Sequence, residues 1–440
     1  MLLIYIPRVT PRATYIFSLV FQDLIGCDYR LTSSTSEYSA WEGPVLAYSP
    51  KPPDGRLFLE SAGLLDEKNV VARDPGLFEY RGYSAFFRVT DPASVLPFDL
   101  FSAAFYLVSR YEEYLPYVPD RHGRFRLQDS LACKGNFLRV PVVNLWIQWL
   151  EQILKDRYPD LSTWPRRFSF MPTIDIDHAY AFRQRRPLRT LAGYGRALVR
   201  GHWSQLVRRT QVLLDLRKDP YDTYAYLNEV HELFGLSPIF FILFADYGGH
   251  DNNVNIRSRV FQELLLDLDE KGTLGIHPSL ASNRRADLLE EEVFGISNLV
   301  GRDITLSRQH FLWLSFPATY RNLIRMGITD DYSMGYSSDP GFRAGISDPF
   351  RFFDLERNEE TGLMIHPVSV MDVALRDYHR LTPKEAFAKC RELIRTIRAV
   401  NGTFIPVWHN ESLSEYGRWK GWRWVYTEML RYATGQSEEE

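Results

Sequence analysis

The chain is poor in cysteine, with three in 440 residues (Cys27, Cys133 and Cys390), each more than 100 positions from the next. Such spacing excludes a disulfide framework and a C-x-x-C zinc knuckle, and it fits a reducing compartment. Net charge is nearly absent too: a formal −3 supplies no global field for nucleic acid, so no nucleic-acid partner is expected. No apolar run reaches the length of a membrane span. The opening MLLIYIPRVTPR lacks a basic stretch ahead of its apolar residues and is cut by Arg8 and Arg12, so the expected location is the cytoplasm. Phosphate-loop, G-x-G-x-x-G and nucleophile-elbow patterns are missing, and Cys390 lies inside a helical stripe, which removes serine or cysteine nucleophile chemistry and dinucleotide binding from consideration. What remains is an ordinary folded composition, 45% hydrophobic and 24% charged, long enough for two domains.

The chain changes texture near YPDLSTWPRR (158–167), where Pro, Asp, Ser and Thr collect between two apolar stretches. Before it, residues 1–160 mix short β-type pieces with Pro/Gly breaks such as SPKPPDG and two helical stretches. One runs from a capping Asp99 to Leu115; the other places Val142, Trp146, Trp149, Leu150 and Ile153 on one face. A smaller mixed α+β amino-terminal domain is therefore expected. After it, over 165–435, short β-type runs alternate with longer helical ones: 168–176, 238–244, 272–276, 303–311, 327–333, 362–366 and 403–408. The clearest helix is 383–400, with Thr382 and Glu385 as a capping box, Pro383 in the first turn and Asn401-Gly402 as the stop.

Most of these runs end in a residue capable of chemistry: Asp175 and Asp177, Asp246, His277, His310, Asp331, His366 and His409. Parallel strands gather their carboxyl ends on one face, so acids and imidazoles should collect there. In TIDIDHAY the two carboxylates lie two apart on extended chain, about 6–7 Å from each other on the same side. Like charges buried that close need a cation, a shared proton or solvent; an exposed turn capped by Asp is the plainer reading. Asp and His donors with one open position suit a divalent ion such as zinc. His277 alone could equally be structural, the Asn410-Glu411-Ser412 turn after His409 could be a cap, and Arg343 in a glycine-rich loop could be a solvated charge.

TIDID, the strand-ending His277, GFRAG (341–345) and the strand-ending WHN (408–410) together resemble the polysaccharide deacetylase (NodB-homology) superfamily over roughly 165–430. KDPYDTY, GIHPSLASN, SRQHF, DYSMGY and GFRAGISDPF look like the branch encoded with bacterial surface-polysaccharide genes. SRYEEYL (109–115) and DRHGRF (120–125) resemble the amino-terminal module that often precedes it. The resemblance implies a distorted (β/α)7-type barrel. It also implies Asp175 as catalytic base, Asp177 and His277 as metal ligands, Arg343 holding the base ionised and His409 as the acid that protonates the leaving amine. The family's second metal-binding histidine falls at Ala281, so His310 is the expected replacement, with Asn283 a weaker donor. Asp246, Asp331 and Trp408, at or beside strand ends, are expected to contact substrate.

The implied activity is metal-dependent removal of an N-acetyl group from a sugar of a glycan or lipid-linked polysaccharide precursor, with zinc as the cofactor. The alternative is a catalytically inactive carbohydrate-binding or scaffold protein of surface-polysaccharide assembly, favoured by Ala281. A third reading, a peripheral membrane adaptor, rests on 183–218, which carries ten Lys/Arg against Asp215 alone. There Leu188, Leu191, Tyr194, Leu198, Leu206, Val207, Val212, Leu213 and Leu216 fall at spacings that allow amphipathic helices with a basic face.

Overall fold

A computed structural model describes residues 1–184, 187–245 and 253–436, with backbone alone at 187–189. In the first part, β1 (Leu2–Tyr5), β2 (Tyr29–Thr32), β3 (Val45–Ser49) and β4 (Phe58–Glu60) form a sheet in the order β2-β1-β3-β4. Every pairing in it is parallel, which corrects the expected α+β arrangement to α/β layering. The alternation explains this: Leu2, Ile4, Leu46 and Leu59 bury one face while Leu3, Val45, Ala47 and Phe58 bury the other. A sheet apolar on both faces must be covered on both. A separate antiparallel hairpin joins β5 (Phe78–Tyr80) to β6 (Tyr83–Ala85). Asp99 does cap a helix, accepting the Ser102 N–H, but Leu100–Val108 stops short of Leu115. Arg110, at φ 53, turns the chain into a short 3₁₀ turn, Tyr111–Tyr114. The second expected helix spans Val142–Arg157.

The large sheet holds β8 (Thr173–Ile176), β9 (Ile239–Ile242), β10 (Thr273–Ile276), β11 (Leu306–Ser307), β12 (Asp330–Asp331), β13 (Phe350–Asp354), β14 (Glu359–Ile365), β15 (Val370–Met371) and β17 (Pro406–His409). Their order is β13-β14-β12-β11-β10-β9-β8-β17-β15, parallel throughout except for the β13–β14 hairpin. Two expected strands are each interrupted around a proline, Pro172 or Pro406, which has no N–H for the ladder. The pieces cut off, β7 (Ser169–Phe170) and β16 (Thr403–Phe404), pair with each other. The hydrogen-bonded order ends at β13 and β15, but the sheet curls over an interior. Ile239 and Phe241 of β9 share an apolar cluster with Leu312, Val368, Met371, Ile405 and Val407, which belong to segments at or beside β11, β15 and β17, two or three strands from β9 on either side. Backbone bonds from Val368 N–H to Met334 (3.0 Å) and from Gly341 N–H to Ser369 (2.8 Å) link the segment after β12 to the approach to β15. On the outer face Ile174, Ile176, Phe240 and Ile242 enter the main core, which runs from Leu2 to Ala433. The 383–400 helix forms as Pro383–Ala399 with its capping box intact. No helix among the described residues is long and apolar enough to cross a membrane.

One buried imidazole makes this core sensitive to acid. His231, 3% exposed, has Nε2 2.7 Å from the Tyr426 hydroxyl, and burial lowers its pKa to about 4. A group depressed in the folded state contributes stability that is complete above its unfolded value near 6.5 and lost as pH falls towards 4. Acidification over that window should therefore cost wild type about 3 kcal/mol more than His231→Gln. Urea unfolding midpoints at pH 7 and pH 4 measure it, and parallel losses in the two proteins would remove the role.

Candidate metal centre

Register decides which side chains reach the interior. Asp175 on β8 is paired with Phe241 on β9 and with His409 on β17, and Gly275 on β10 is paired with Phe241 in turn. Paired residues of parallel strands share a face, and alternate residues return to it. Asp177, His277 and His409 therefore emerge at the same strand ends as Asp175. Gly275 is required here because a Cβ would stand 2.7 Å from the Phe241 ring. Across the interior, Arg308 donates from Nη1 to Asp175 Oδ1 (2.6 Å) and from Nη2 to Thr173 Oγ1 (2.8 Å). Its Nε donates to the Tyr332 carbonyl (3.0 Å), and its guanidinium lies 4.3 Å from the Phe241 ring centroid. Arg308 follows β11, three strands from β8, or about 14 Å along a flat sheet. Only the curl brings the two together.

Three imidazoles converge on Asp177. His277 Nε2 lies 3.2 Å from Oδ1, and His310 Nε2 and His409 Nε2 lie 3.4 and 3.6 Å from Oδ2. The donor atoms of Asp177, His277 and His310 all fall within 4.8 Å of one another. His277 Nδ1 is 2.5 Å from the Arg308 carbonyl, which can only accept, so Nδ1 carries a proton; wherever Nε2 carries none, it and the carboxylate face each other as two acceptors. Acceptor facing acceptor is stable only with a proton or a cation between them, and a carboxylate with two imidazole nitrogens is a donor set that fits a divalent metal. Burial alone would raise the Asp177 pKa, but the charge of His310 and the hydrogen bond and charge of His277 outweigh it and hold the carboxyl well below the usual range.

His409 is held from the other side. Its Nδ1 lies 2.8 Å from Asp372 Oδ1, and its backbone N–H donates to Asp372 Oδ2 (2.9 Å). Burial lowers the imidazole pKa, yet the charge and hydrogen bond of buried Asp372, with Asp177 and Asp175 behind it, raise it well above the ordinary value. Asp175, Asp177, His277, His310 and His409 line one cavity of about 230 Å³, closed in part by Phe311 and Met371. A larger cavity of about 550 Å³ adjoins it, sharing Leu312, Ser337 and Tyr378.

Several expectations need correction. Arg343 does not pair with Asp175: it grips Glu113 with two bonds, Nε to Oε1 (2.9 Å) and Nη2 to Oε2 (2.6 Å), and the guanidinium on Asp175 is that of Arg308. Arg110 shares Glu113 Oε1 (2.8 Å), binds Glu112 and donates to the Arg343 carbonyl, so GFRAG is fastened to SRYEEYL by a buried ionic cluster. The reason is desolvation: the two buried guanidiniums, Arg110 and Arg343, are matched by two buried carboxylates, Glu112 and Glu113, which leaves no uncompensated charge. Asp331 is fully buried on the outer face, in register with Ser307 and accepting from the hydroxyls of Ser307 and Ser333, both 2.8 Å. Trp408, one residue from His409, points the other way and packs on Trp422 and Tyr426. Neither lines the cavity. His366 pairs with Asp330 at 2.7 Å. Ala281 is exposed, and neither it nor Asn283 lines the cavity. Asp246 lies outside the described residues. Sequence reasoning missed Arg308, although it stands in SRQHF, and Asp372, whose signal was an acid directly after the apolar pair Val370-Met371.

The model of a family of unknown function (DUF7033) matches residues 2–159, which include Glu113 but none of the residues around Asp177. No curated protein matches the chain. Among solved structures, it is similar to a Mycobacterium smegmatis protein assigned as a polysaccharide deacetylase, with 14% identity and a TM-score of 0.40 over 62% of this chain and 86% of that one. A Pseudomonas aeruginosa protein assigned the same activity is 10% identical, with a TM-score of 0.40 over 62% and 87%. The 4-alpha-glucanotransferase of Thermococcus litoralis is 15% identical, with a TM-score of 0.36 over 62% of this chain and 38% of that one.

Proposed function

We propose that the chain is a metal-dependent hydrolase that removes an N-acetyl group from a sugar of a glycan or lipid-linked polysaccharide precursor. The observation that carries this reading is the convergence of Asp177, His277 and His310 within 4.8 Å, in a cavity that also receives Asp175 and His409. Those three residues would hold the ion, with zinc the best match to two nitrogens and a carboxylate. When bound, it would polarise the amide carbonyl and acidify the attacking water. Asp175, one oxygen fixed by Arg308, takes a proton from that water as the new C–O bond forms. His409, braced by Asp372, gives its Nε2 proton to the nitrogen as the C–N bond breaks. The products are acetate and a free amino sugar. The choice of an N-acetylated sugar rests on the resemblance of TIDID, GFRAG and WHN together. The alternative, an inactive carbohydrate-binding or scaffold protein, is motivated by Ala281, and His310 beside Asp177 supports the hydrolase over it.

Zinc-loaded protein offered N-acetylglucosamine oligomers and monomers should release acetate, stop on chelation and resume when zinc is returned. Stoichiometric metal without acetate from any N-acetylated amino sugar would turn the reading to the inactive alternative.

A further inference from the structure

The helices Pro187–Val199 and Trp203–Leu213 form a hairpin that the fold hardly needs. Of their residues with described side chains, only Ala197, Arg209 and Val212 are buried. The helices meet through the hydroxyls of Tyr194 and Thr210, 2.9 Å apart. They are rooted on the body by Arg209 over the Phe182 ring, Arg208 over the Tyr416 ring and Val212 against Ala181 and Phe182. Outward stand Leu191, Leu198, Val199, Trp203, Val207 and Leu214, each between 52% and 90% exposed. About a third of the large apolar side chains exposed among the described residues lie between 191 and 216. Apolar surface concentrated in this way marks an interaction site.

Charge indicates which partner. The segment from Arg183 to Lys218 carries ten Lys/Arg and one acid in a chain of net charge −3, and Arg196 and Arg200 are exposed beside Val199 and Trp203 at the turn. A second copy bound face to face through this patch would set basic residue against basic residue. Nucleic acid would match the charge but leave the leucines and valines without a role. A bilayer with anionic head groups matches both: aliphatic side chains and a tryptophan enter the head-group boundary while arginines meet the lipid phosphates. We infer that this hairpin docks the protein on an anionic lipid surface. Its roots lie near the candidate metal site along the chain, since Ala181 and Phe182 come three and four residues after the cavity residue His178, and Tyr416 precedes the cavity residue Arg418 by two. Docking would therefore hold the cavity rim beside the membrane. The inference does not depend on the hydrolase reading, since its test involves neither turnover nor metal.

The test is sedimentation of the full chain with vesicles of phosphatidylcholine alone and of phosphatidylcholine mixed with phosphatidylglycerol, at low and high salt. Recovery is expected only with the anionic vesicles and should fall at high salt, as the Debye length shrinks from about 10 Å at 0.1 M to about 3 Å at 1 M. Arg196→Glu with Arg200→Glu should weaken binding at least about thirtyfold, each removed charge accounting for roughly fivefold. Trp203→Ser with Val207→Ser should weaken it too, and circular dichroism should show both variants folded. Equal recovery on both vesicle types, recovery on neither, or recovery untouched by both variants would overturn the inference. A dimer that these variants dissociate, without vesicle binding, would instead assign the surface to a second copy.

Discussion

Asp177→Ala and His277→Ala are each expected to leave the purified protein without stoichiometric zinc, as measured by elemental analysis after dialysis against the metal. Changing an outer partner of a metal ligand costs about 10- to 100-fold in affinity. Loss of a direct donor should exceed that, because too few donors remain. The fold should persist, since the three side chains meet at strand ends around a cavity and not within the main core. His277→Ala also removes the ring that the Arg308 carbonyl holds in place, so its effect should match that of Asp177→Ala. Full occupancy in both variants would sink the site. Loss in these two but not in His310→Ala would move the third donor elsewhere.

Asp175→Asn and His409→Gln should each lower kcat by about 10²- to 10⁴-fold on an unactivated N-acetyl amide, with zinc still bound. That is roughly 3–5 kcal/mol of barrier. The pH profile separates the two roles. The carboxylates facing His409 are Asp372, Asp177 and Asp175, and they raise its pKa against the opposing effect of burial. A raised pKa keeps the imidazole protonated through neutrality, so activity that needs His409 as acid persists there and fails on the alkaline side. With Asp177 engaged by a cation, Asp372 carries most of that pull, so Asp372→Asn should move the alkaline limb to lower pH with KM little changed. A His409→Gln enzyme of near wild-type rate would count against the acid role. An alkaline limb unmoved in Asp372→Asn would show that Asp372 does not set the pKa of the group responsible.

Features confined to a few consecutive residues are legible in the chain itself. The period of two in TIDID puts Asp175 and Asp177 on one side, and the capping box at Thr382 and Glu385 does form. The prolines at 172 and 406 are visible as residues, but not as strand ends, because a proline ends a ladder only where a neighbour asks for the missing N–H. Inward and outward faces are harder. His409 and Trp408 read alike in TFIPVWHN, and only the pairing of His409 with Asp175 shows that the imidazole enters the interior while the indole packs on the outer helix.

What the sequence by itself determined is the local chemistry: which residues can donate, where helices such as Pro383–Ala399 begin, and that acids and imidazoles stand at the ends of β-type runs. Only the tertiary structure decided which charge meets which. Arg343 and Arg308 are equally plausible partners for Asp175 by residue type, separated from it by 168 and 133 positions, and no propensity or period acts over such distances. A buried guanidinium pairs with the carboxylate that the fold brings within about 3 Å, because leaving either charge alone in a dry interior would cost several kcal/mol. That carboxylate is Asp175 for Arg308 and Glu113 for Arg343.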